Sequence, residues 1–335
     1  MKVRLRPYQH DALAAIHDAR QRHVQRPLVA HATGLGKTLL FSSLLQGFAP
    51  SRSLVLAHRD ELIQQAVEKI HFVAPELQTG VVKAERNEVD APCVVASIQT
   101  LAREKRFQQL VAPSFFDTVV VDEAHHISAD TYQRIVRDLG GFDPGGPLVL
   151  GVTATPFRGD KKGLGDTWEE IVHHVSILDG IQQGYLCNLK AIAVRVNADF
   201  RKIRTQNGEL RADDAERVLM QSAAPQTIAK AIHEYAFAEH RPTLVFTPTV
   251  LVSQQVAEEC QELGINAIHL DGTTPLEERR AILKQFHDGE IDVVSNCNVL
   301  TEGYDEERVA CVVQGVEDTN LQRGQHVQAI EGLRV

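Results

Sequence analysis

The heptapeptide Ala32-Thr33-Gly34-Leu35-Gly36-Lys37-Thr38 sets two glycines, a lysine and a hydroxyl between a short apolar run and a helical pattern. Glycines let a loop bring its backbone close to phosphate oxygens, and amides at a helix N-terminus carry positive potential. Such a loop suits a nucleoside triphosphate. Thr33, Gly34, Leu35 and Gly36 would wrap the phosphates, Lys37 would reach the β- and γ-phosphates, and Thr38 would ligate Mg2+. The strict pattern has glycine where this chain has His31, so the loop alone is a partial match. A second cluster, Asp122-Glu123-Ala124-His125, ends the apolar run Val119-Val120-Val121. Carboxylates at the C-terminal end of a buried strand stand where ligands bind in open parallel sheets. Asp122 is expected to hold Mg2+, directly or through water, and Glu123 to orient and deprotonate an attacking water. His125 is expected to link this pair to neighbouring elements, and His126 to be structural.

These residues need a rigid frame, and the apolar pattern supplies one. Leu28-Val29-Ala30, Ser53 to Ala57, Cys93 to Ala96, Thr118 to Val121 and Leu148 to Val152 read as buried strands. Leu39 to Gly47 and Glu61 to Phe72 read as helices between them. Continuous Val/Leu runs separated by helices mark a parallel sheet covered on both faces. A polar stretch follows, with Asn207-Gly208 as a hairpin turn and then one helix. The α/β pattern then resumes. Strands are expected at 243–246, 267–270, 291–294 and 309–313, with helices at 252–263 and 276–286. The expected division is an ATP-binding domain at 1–190, a connector at 191–221 and a second domain at 222–335, irregular or truncated after about 313.

Composition narrows the function. Of 335 residues, 43% are hydrophobic and 24% charged, the balance of a globular chain rather than a disordered one. No apolar run approaches the roughly 18 residues of a membrane span, and the first residues lack the apolar core of a secretion signal. A cytoplasmic protein without a membrane partner is expected. The net charge of −9 argues against a basic protein that coats nucleic acid. It leaves room for one that grips a phosphate backbone with amides, hydroxyls and a few arginines. The five cysteines are scattered, with no Cys-x-x-Cys pair, and read as reduced thiols rather than a zinc site.

Taken together, the glycine loop and Asp122-Glu123-Ala124-His125 resemble the DEAH-type superfamily 2 helicases and translocases. Further landmarks of that family follow in order. Arg6-Pro7-Tyr8-Gln9 resembles its glutamine motif, and the resemblance implies that Arg6 and Gln9 serve adenine recognition. Ala57-His58-Arg59-Asp60-Glu61-Leu62 resembles motif Ia, Ser97-Ile98-Gln99-Thr100-Leu101 motif Ib and Thr153-Ala154-Thr155-Pro156 motif III. Thr243 to Thr247 resembles motif IV, and Asp271-Gly272-Thr273 through Arg279 and Phe286 the segment that follows. Asn296 to Asp305, with Leu300-Thr301-Glu302-Gly303-Tyr304-Asp305, resembles motif V. The last string and the Ala-His-Arg motif are similar to the bacterial and phage DNA-repair branch, which includes restriction-enzyme motor subunits of the type III kind.

The resemblance implies two tandem RecA-like α/β domains, each a parallel sheet with helices on both faces, the second incomplete at its C-terminal end. It implies ATP and Mg2+ as cofactors and nucleic acid as partner, DNA in preference to RNA, with a nuclease or repair protein as a further partner. It places Arg59, Gln99, Thr100, Thr247 and Thr301 on the phosphate backbone. Thr153 and Thr155 would couple nucleotide state to strand binding, and Gly303 and Asp305 would close over the ribose and phosphates. The implied activity is helicase or translocase. Alternatives are a restriction or repair motor that moves on duplex without unwinding it, and a binding fragment that does not hydrolyse ATP.

Motif VI departs from the family. Its helix carries Gln-x-x-Gly-Arg-x-x-Arg, whose arginines act as fingers. This chain has Gln328-Ala329-Ile330-Glu331-Gly332-Leu333-Arg334, with Glu331 at the glycine position and Arg334 one residue early. On a helix, one residue is about 100° of rotation. Arg334 as finger, and full turnover with it, are therefore in question.

Overall fold

The computed structural model describes residues 4–48, 51–58, 60–128, 130–155, 167–196, 199, 203–206, 209–300, 304, 306–315 and 326–331. The chain divides into two compact units, Met1–Tyr185 and Leu186–Val335.

In the first unit the strands are β1 (Pro27–His31), β2 (Ser53–Ala57), β3 (Thr79–Lys83), β4 (Arg86–Asn87), β5 (Cys93–Ser97), β6 (Thr118–Asp122), β7 (Leu148–Thr153) and β8 (Glu170–Val175). The helices are α1 (Pro7–Gln21), α2 (Lys37–Phe48), α3 (Asp60–Val73), α4 (Ile98–Leu101), α5 (Glu104–Val111), α6 (Asp130–Asp138) and α7 (Ile177–Gln182). The sheet order is β4-β3-β5-β2-β6-β7-β1-β8. Every pairing is parallel except β3 with β4.

Strand side chains alternate between faces, and the apolar runs use both. Val29, Val55, Val95, Val120 and Leu150 pack with α1, α2 and α3 in one core. Their neighbours Leu28, Leu54, Val94, Val119 and Val149 pack with α5, α6 and Trp168 in another. This two-sided burial explains why the strands read as unbroken apolar runs. The sequence reading found β1, β2, β5, β6 and β7 but not β3, β4 or β8. β8, Glu-Ile-Val-His-His-Val, is a half-exposed edge strand whose polar residues hide its pairing with β1.

The second unit contains β9 (Lys190–Arg195), β10 (Thr205–Gln206), β11 (Glu209–Leu210), β12 (Thr243–Phe246), β13 (Ala267–Leu270), β14 (Val293–Asn296), β15 (Cys311–Gln314) and β16 (His326–Glu331). Its helices are α8 (Ala212–Gln221), α9 (Ala224–Tyr235), α10 (Val250–Glu262) and α11 (Leu276–Asp288). The sheet order is β13-β14-β12-β15-β16-β9, parallel from β13 to β15 and antiparallel across β16. Val245, Val293 and Val313 face α8, α9 and α10, while Leu244 and Val294 face α11.

Two expectations change here. The connector span supplies β9, an edge strand of the second sheet, so it is part of that unit's sheet rather than a link alone. The hairpin is present as β10 and β11, followed by α8; Asn207 and Gly208 lie outside the described residues. Residues 326–331 also differ from a motif VI helix. Gln328 sits in β16, paired with Gln314 on one side and Ala193 on the other. Residues 326–331 thus run as a strand, in which side chains alternate every second residue, and Arg334 lies outside the described residues.

Gly151 in β7 shows how tightly the first sheet is filled. A Cβ there would meet Leu28 Cδ1 and the Trp168 ring at 2.7 Å, and both neighbours are buried. Gly151→Ala is expected to destabilise the first unit by about 1–3 kcal/mol in urea denaturation. An unchanged midpoint would mean that Leu28 and Trp168 can give way.

Candidate nucleotide site

β1 ends at His31 and α2 begins at Lys37, so the glycine loop is a strand-to-helix turn at the carboxyl edge of the first sheet. Gly34 (φ 82°) and Gly36 (φ 67°) take the left-handed backbone that turns successive amides inward. Leu35 is fully buried and anchors the turn; Thr33 is exposed and Thr38 half-buried. The Lys37 ammonium donates to the His31 carbonyl at 3.4 Å, folding the side chain back over the loop.

The N-terminal motif clamps this loop. Pro7 starts α1, where its fixed φ suits a first turn. Tyr8 OH and Gln9 Nε2 both donate to the Leu35 carbonyl, at 3.0 and 3.3 Å. Gln9 Oε1 accepts from the Arg6 amide at 2.9 Å. The φ of Gly36 favours glycine, and a Cβ there would lie 2.8 Å from Gln9 Nε2 and shift that amide. Gln9 is buried with one bond at each end of its amide, leaving one donor and one acceptor site for a base. The Arg6 guanidinium lies 5.4 Å from the Tyr185 ring centroid, and Tyr185 meets Tyr8 edge-on at 4.8 Å.

β6 and β1 both neighbour β7, which brings Asp122, Thr153 and the glycine loop to one edge. Asp122 is buried. Burial holds its carboxyl above the usual range, opposed by the Lys37 ammonium, the Glu123 amide at 3.0 Å and His58. A buried carboxyl that pays for charge and faces a lysine suits a dication. With the amides of the loop and the Thr38 hydroxyl, the donor set fits Mg2+ and a triphosphate. Glu123 has φ 48°, a strained value for a residue with a side chain. Its Oε2 lies 3.3 Å from His125 Nδ1, which is also 3.0 Å from Thr153 Oγ1. Thr153 Oγ1 accepts from the Thr155 amide at 3.1 Å. Thus Glu123, His125, Thr153 and Thr155 are joined.

The strand-gripping residues fare differently. Gln99 is exposed at the end of β5; its Nε2 donates to the His58 carbonyl. Thr100 is buried and its hydroxyl accepts from the Ala84 amide. In the second unit Thr247 is buried and donates to the Thr249 carbonyl at 3.0 Å. Both hydroxyls are thus engaged inside the fold, as threonines beside turns often are. Arg59, Pro156, Thr301, Gly303, Asp305 and Arg334 lie outside the described residues.

Sequence reasoning missed one group of this site. His31, fully buried, has Nε2 at 2.8 Å from His173 Nδ1 on β8 and meets the Tyr8 ring at 5.5 Å. The imidazole at the pattern's glycine position was the available signal, but its partner depends on the β1–β8 pairing.

Two family models match the chain: "Type III restriction enzyme, res subunit" over residues 2–158 and "Helicase conserved C-terminal domain" over 225–331. The chain is 30% identical over 322 residues to "Putative ATP-dependent helicase IRC3" of Saccharomyces cerevisiae, covering 92% of this chain and 46% of that protein. It therefore spans about half the length of that relative. Among solved structures, the helicase domain of Pyrococcus furiosus Hef is similar with a TM-score of 0.58 at 18% identity, over 94% of this chain and 90% of that one. The ATP-dependent Type ISP restriction-modification enzyme LlaBIII bound to DNA gives 0.65 at 14%, over 95% and 26%. The fold shared with these helicase structures is the RecA-like α/β fold.

Burial, helped by His173 and Lys37, pushes the His31 imidazole down to about 3. In the unfolded chain an imidazole takes its proton near 6.5. As pH falls from about 6.5 toward 3, the unfolded chain binds a proton that the fold refuses, so stability is lost across that window. His31→Gln should flatten the fall in melting temperature between pH 7 and 5 relative to the unmodified chain; equal slopes would contradict the buried neutral imidazole.

Proposed function

The chain belongs to the superfamily 2 helicases, and from that premise we propose that it is an ATP-driven motor that moves along DNA. The observation that carries the reading is the meeting of the glycine loop with Asp122 and Glu123 at one sheet edge, joined through His125 to Thr153. Lys37 and the loop amides hold the β- and γ-phosphates. Thr38 and Asp122 would hold Mg2+, which would supply neutralisation of charge on those oxygens. Glu123 orients a water in line with the γ-phosphorus and takes its proton as the new P–O bond forms and the bond to the β-phosphate oxygen breaks. Arg6 and Gln9 stand beside the loop where adenine is recognised.

DNA is preferred over RNA because the chain is similar to an enzyme captured bound to DNA and to restriction subunits. The negative net charge fits a grip through amides and a few polar side chains, with Gln99 exposed at the edge and bonded to the carbonyl of His58, the residue before Arg59. Thr100 and Thr247 then act by shaping the segments that hold the strand. A second reading follows from the restriction res-subunit match: translocation on duplex without strand separation. Displacement of a strand from a forked duplex separates the two. Slow turnover is part of the proposal, because a finger arginine is worth about 10³–10⁵ in rate in related hydrolases and the sequence lacks the Gly-Arg pair of motif VI, with Glu331 at its glycine position.

The test is steady-state ATP hydrolysis with Mg2+, alone and with single-stranded DNA, duplex DNA and RNA. DNA should stimulate the rate more than RNA. Glu123→Gln should lower the rate by about 10²-fold or more while ATP still binds. Turnover that Glu123→Gln leaves unchanged would contradict the assignment of the base.

A further inference from the structure

Four strands end side by side in the order β5, β2, β6, β7. A continuous line of contacts crosses their carboxyl ends in that same order. At the β5 end, Gln99 Oε1 accepts from Ser97 Oγ at 2.8 Å and Gln99 Nε2 donates to the His58 carbonyl at 2.5 Å. His58 follows β2, and its ring meets His126 edge-on with centroids 4.5 Å apart. His126 lies tilted on His125 at 4.2 Å. His125 Nδ1 then reaches both Glu123 Oε2 and Thr153 Oγ1 at the end of β7. Hydrolysis as derived above employs Asp122, Glu123 and His125 and gives His126 and His58 no task.

We propose that the His58–His126–His125 stack is the element that transmits engagement of a nucleic-acid strand at the Gln99 end to the water-orienting Glu123. The proposal rests on the motor reading of the preceding section. Its physical basis is stiffness. Each imidazole is planar and touches the next, so a displacement of the His58 backbone cannot be absorbed without moving the His126 ring. Gln99 is bonded to that same backbone carbonyl, and Arg59 follows His58 directly. At the other end Glu123 stands on a strained backbone with its carboxylate against His125, so a small shift of that ring re-aims the carboxylate. His126 is accordingly a positioning residue, acting through His125.

The experiment compares the chain with His126→Ala and His126→Phe. It measures ATP hydrolysis with and without single-stranded DNA, DNA affinity by fluorescence anisotropy, and the melting temperature. His126→Ala should keep basal hydrolysis and DNA affinity within about twofold and lose at least about fivefold of the stimulation by DNA. His126→Phe keeps a ring in the stack and should recover most of it. Stimulation unaltered in His126→Ala would overturn the inference alone, and so would basal and stimulated rates falling in proportion. If His126→Ala does not fold, a folded His126→Phe without stimulation would also overturn it. No stimulation of the unmodified chain by any nucleic acid would overturn the motor reading, and the inference with it.

Discussion

Asp122 is a carboxyl group at the end of a strand whose other residues are all buried, and removing such a group from water costs free energy unless a positive charge stands opposite. Lys37 meets that need in the protein itself, and a dication would meet it more fully. This one constraint organises the carboxyl edge of the first sheet. The lysine must be held at the start of α2, which requires a turn tight enough for glycines with positive φ. The carboxyl must be held by a strand that cannot move, which the two-sided apolar packing of β6 supplies. The same burial that makes Asp122 reluctant to ionise alone makes it responsive to what binds beside it.

Around this pair the molecule spends its polar side chains on rigidity. Tyr8 and Gln9 converge on a single carbonyl, that of Leu35, and so tie α1 to the glycine loop. His31 and His173 join β1 to the edge strand β8 beneath the loop. His125 joins Glu123 to Thr153. In the second unit a comparable chain runs from Asp271 through His269 to Ser253 and Ser295, binding the loop after β13 to α10 and β14. Thr273 donates to Asp271 by amide and hydroxyl, and these bonds bring its carboxyl down to about 2. In both units hydrogen bonds between neighbouring strand ends fix the loops at the carboxyl edge of the sheet.

Much of this is legible in the residues alone, for a physical reason. A strand buried on both faces must be apolar throughout, so Val119-Val120-Val121 announces itself, and a carboxylate pair directly after it is conspicuous. The glycine loop is legible because its conformation admits few residue types. What is not legible depends on pairing between distant segments. β8 carries Glu170, His173 and His174, so its pattern is that of a loop until β1 lies beside it. Thr100 and Thr247 sit in motifs whose hydroxyls suggest outward contact, yet each is turned inward to a neighbouring backbone group. Gln328 reads as part of a helix by family spacing and is found in β16, because β9 and β15 offer their edges to it. The histidines at 58, 125 and 126 are visible as letters, but their stacking follows only from the order of β2 and β6.

In the function proposed, the loop at Lys37 and the carboxyl of Asp122 form one site for Mg2+ and the phosphates of ATP. Calorimetric titration with a non-hydrolysable ATP analogue tests it most directly, with and without Mg2+, on the unmodified chain and on Lys37→Ala and Asp122→Asn. Binding should strengthen with Mg2+, weaken markedly in Lys37→Ala, and lose its Mg2+ dependence in Asp122→Asn. Binding of equal strength in all three proteins, indifferent to Mg2+, would contradict it.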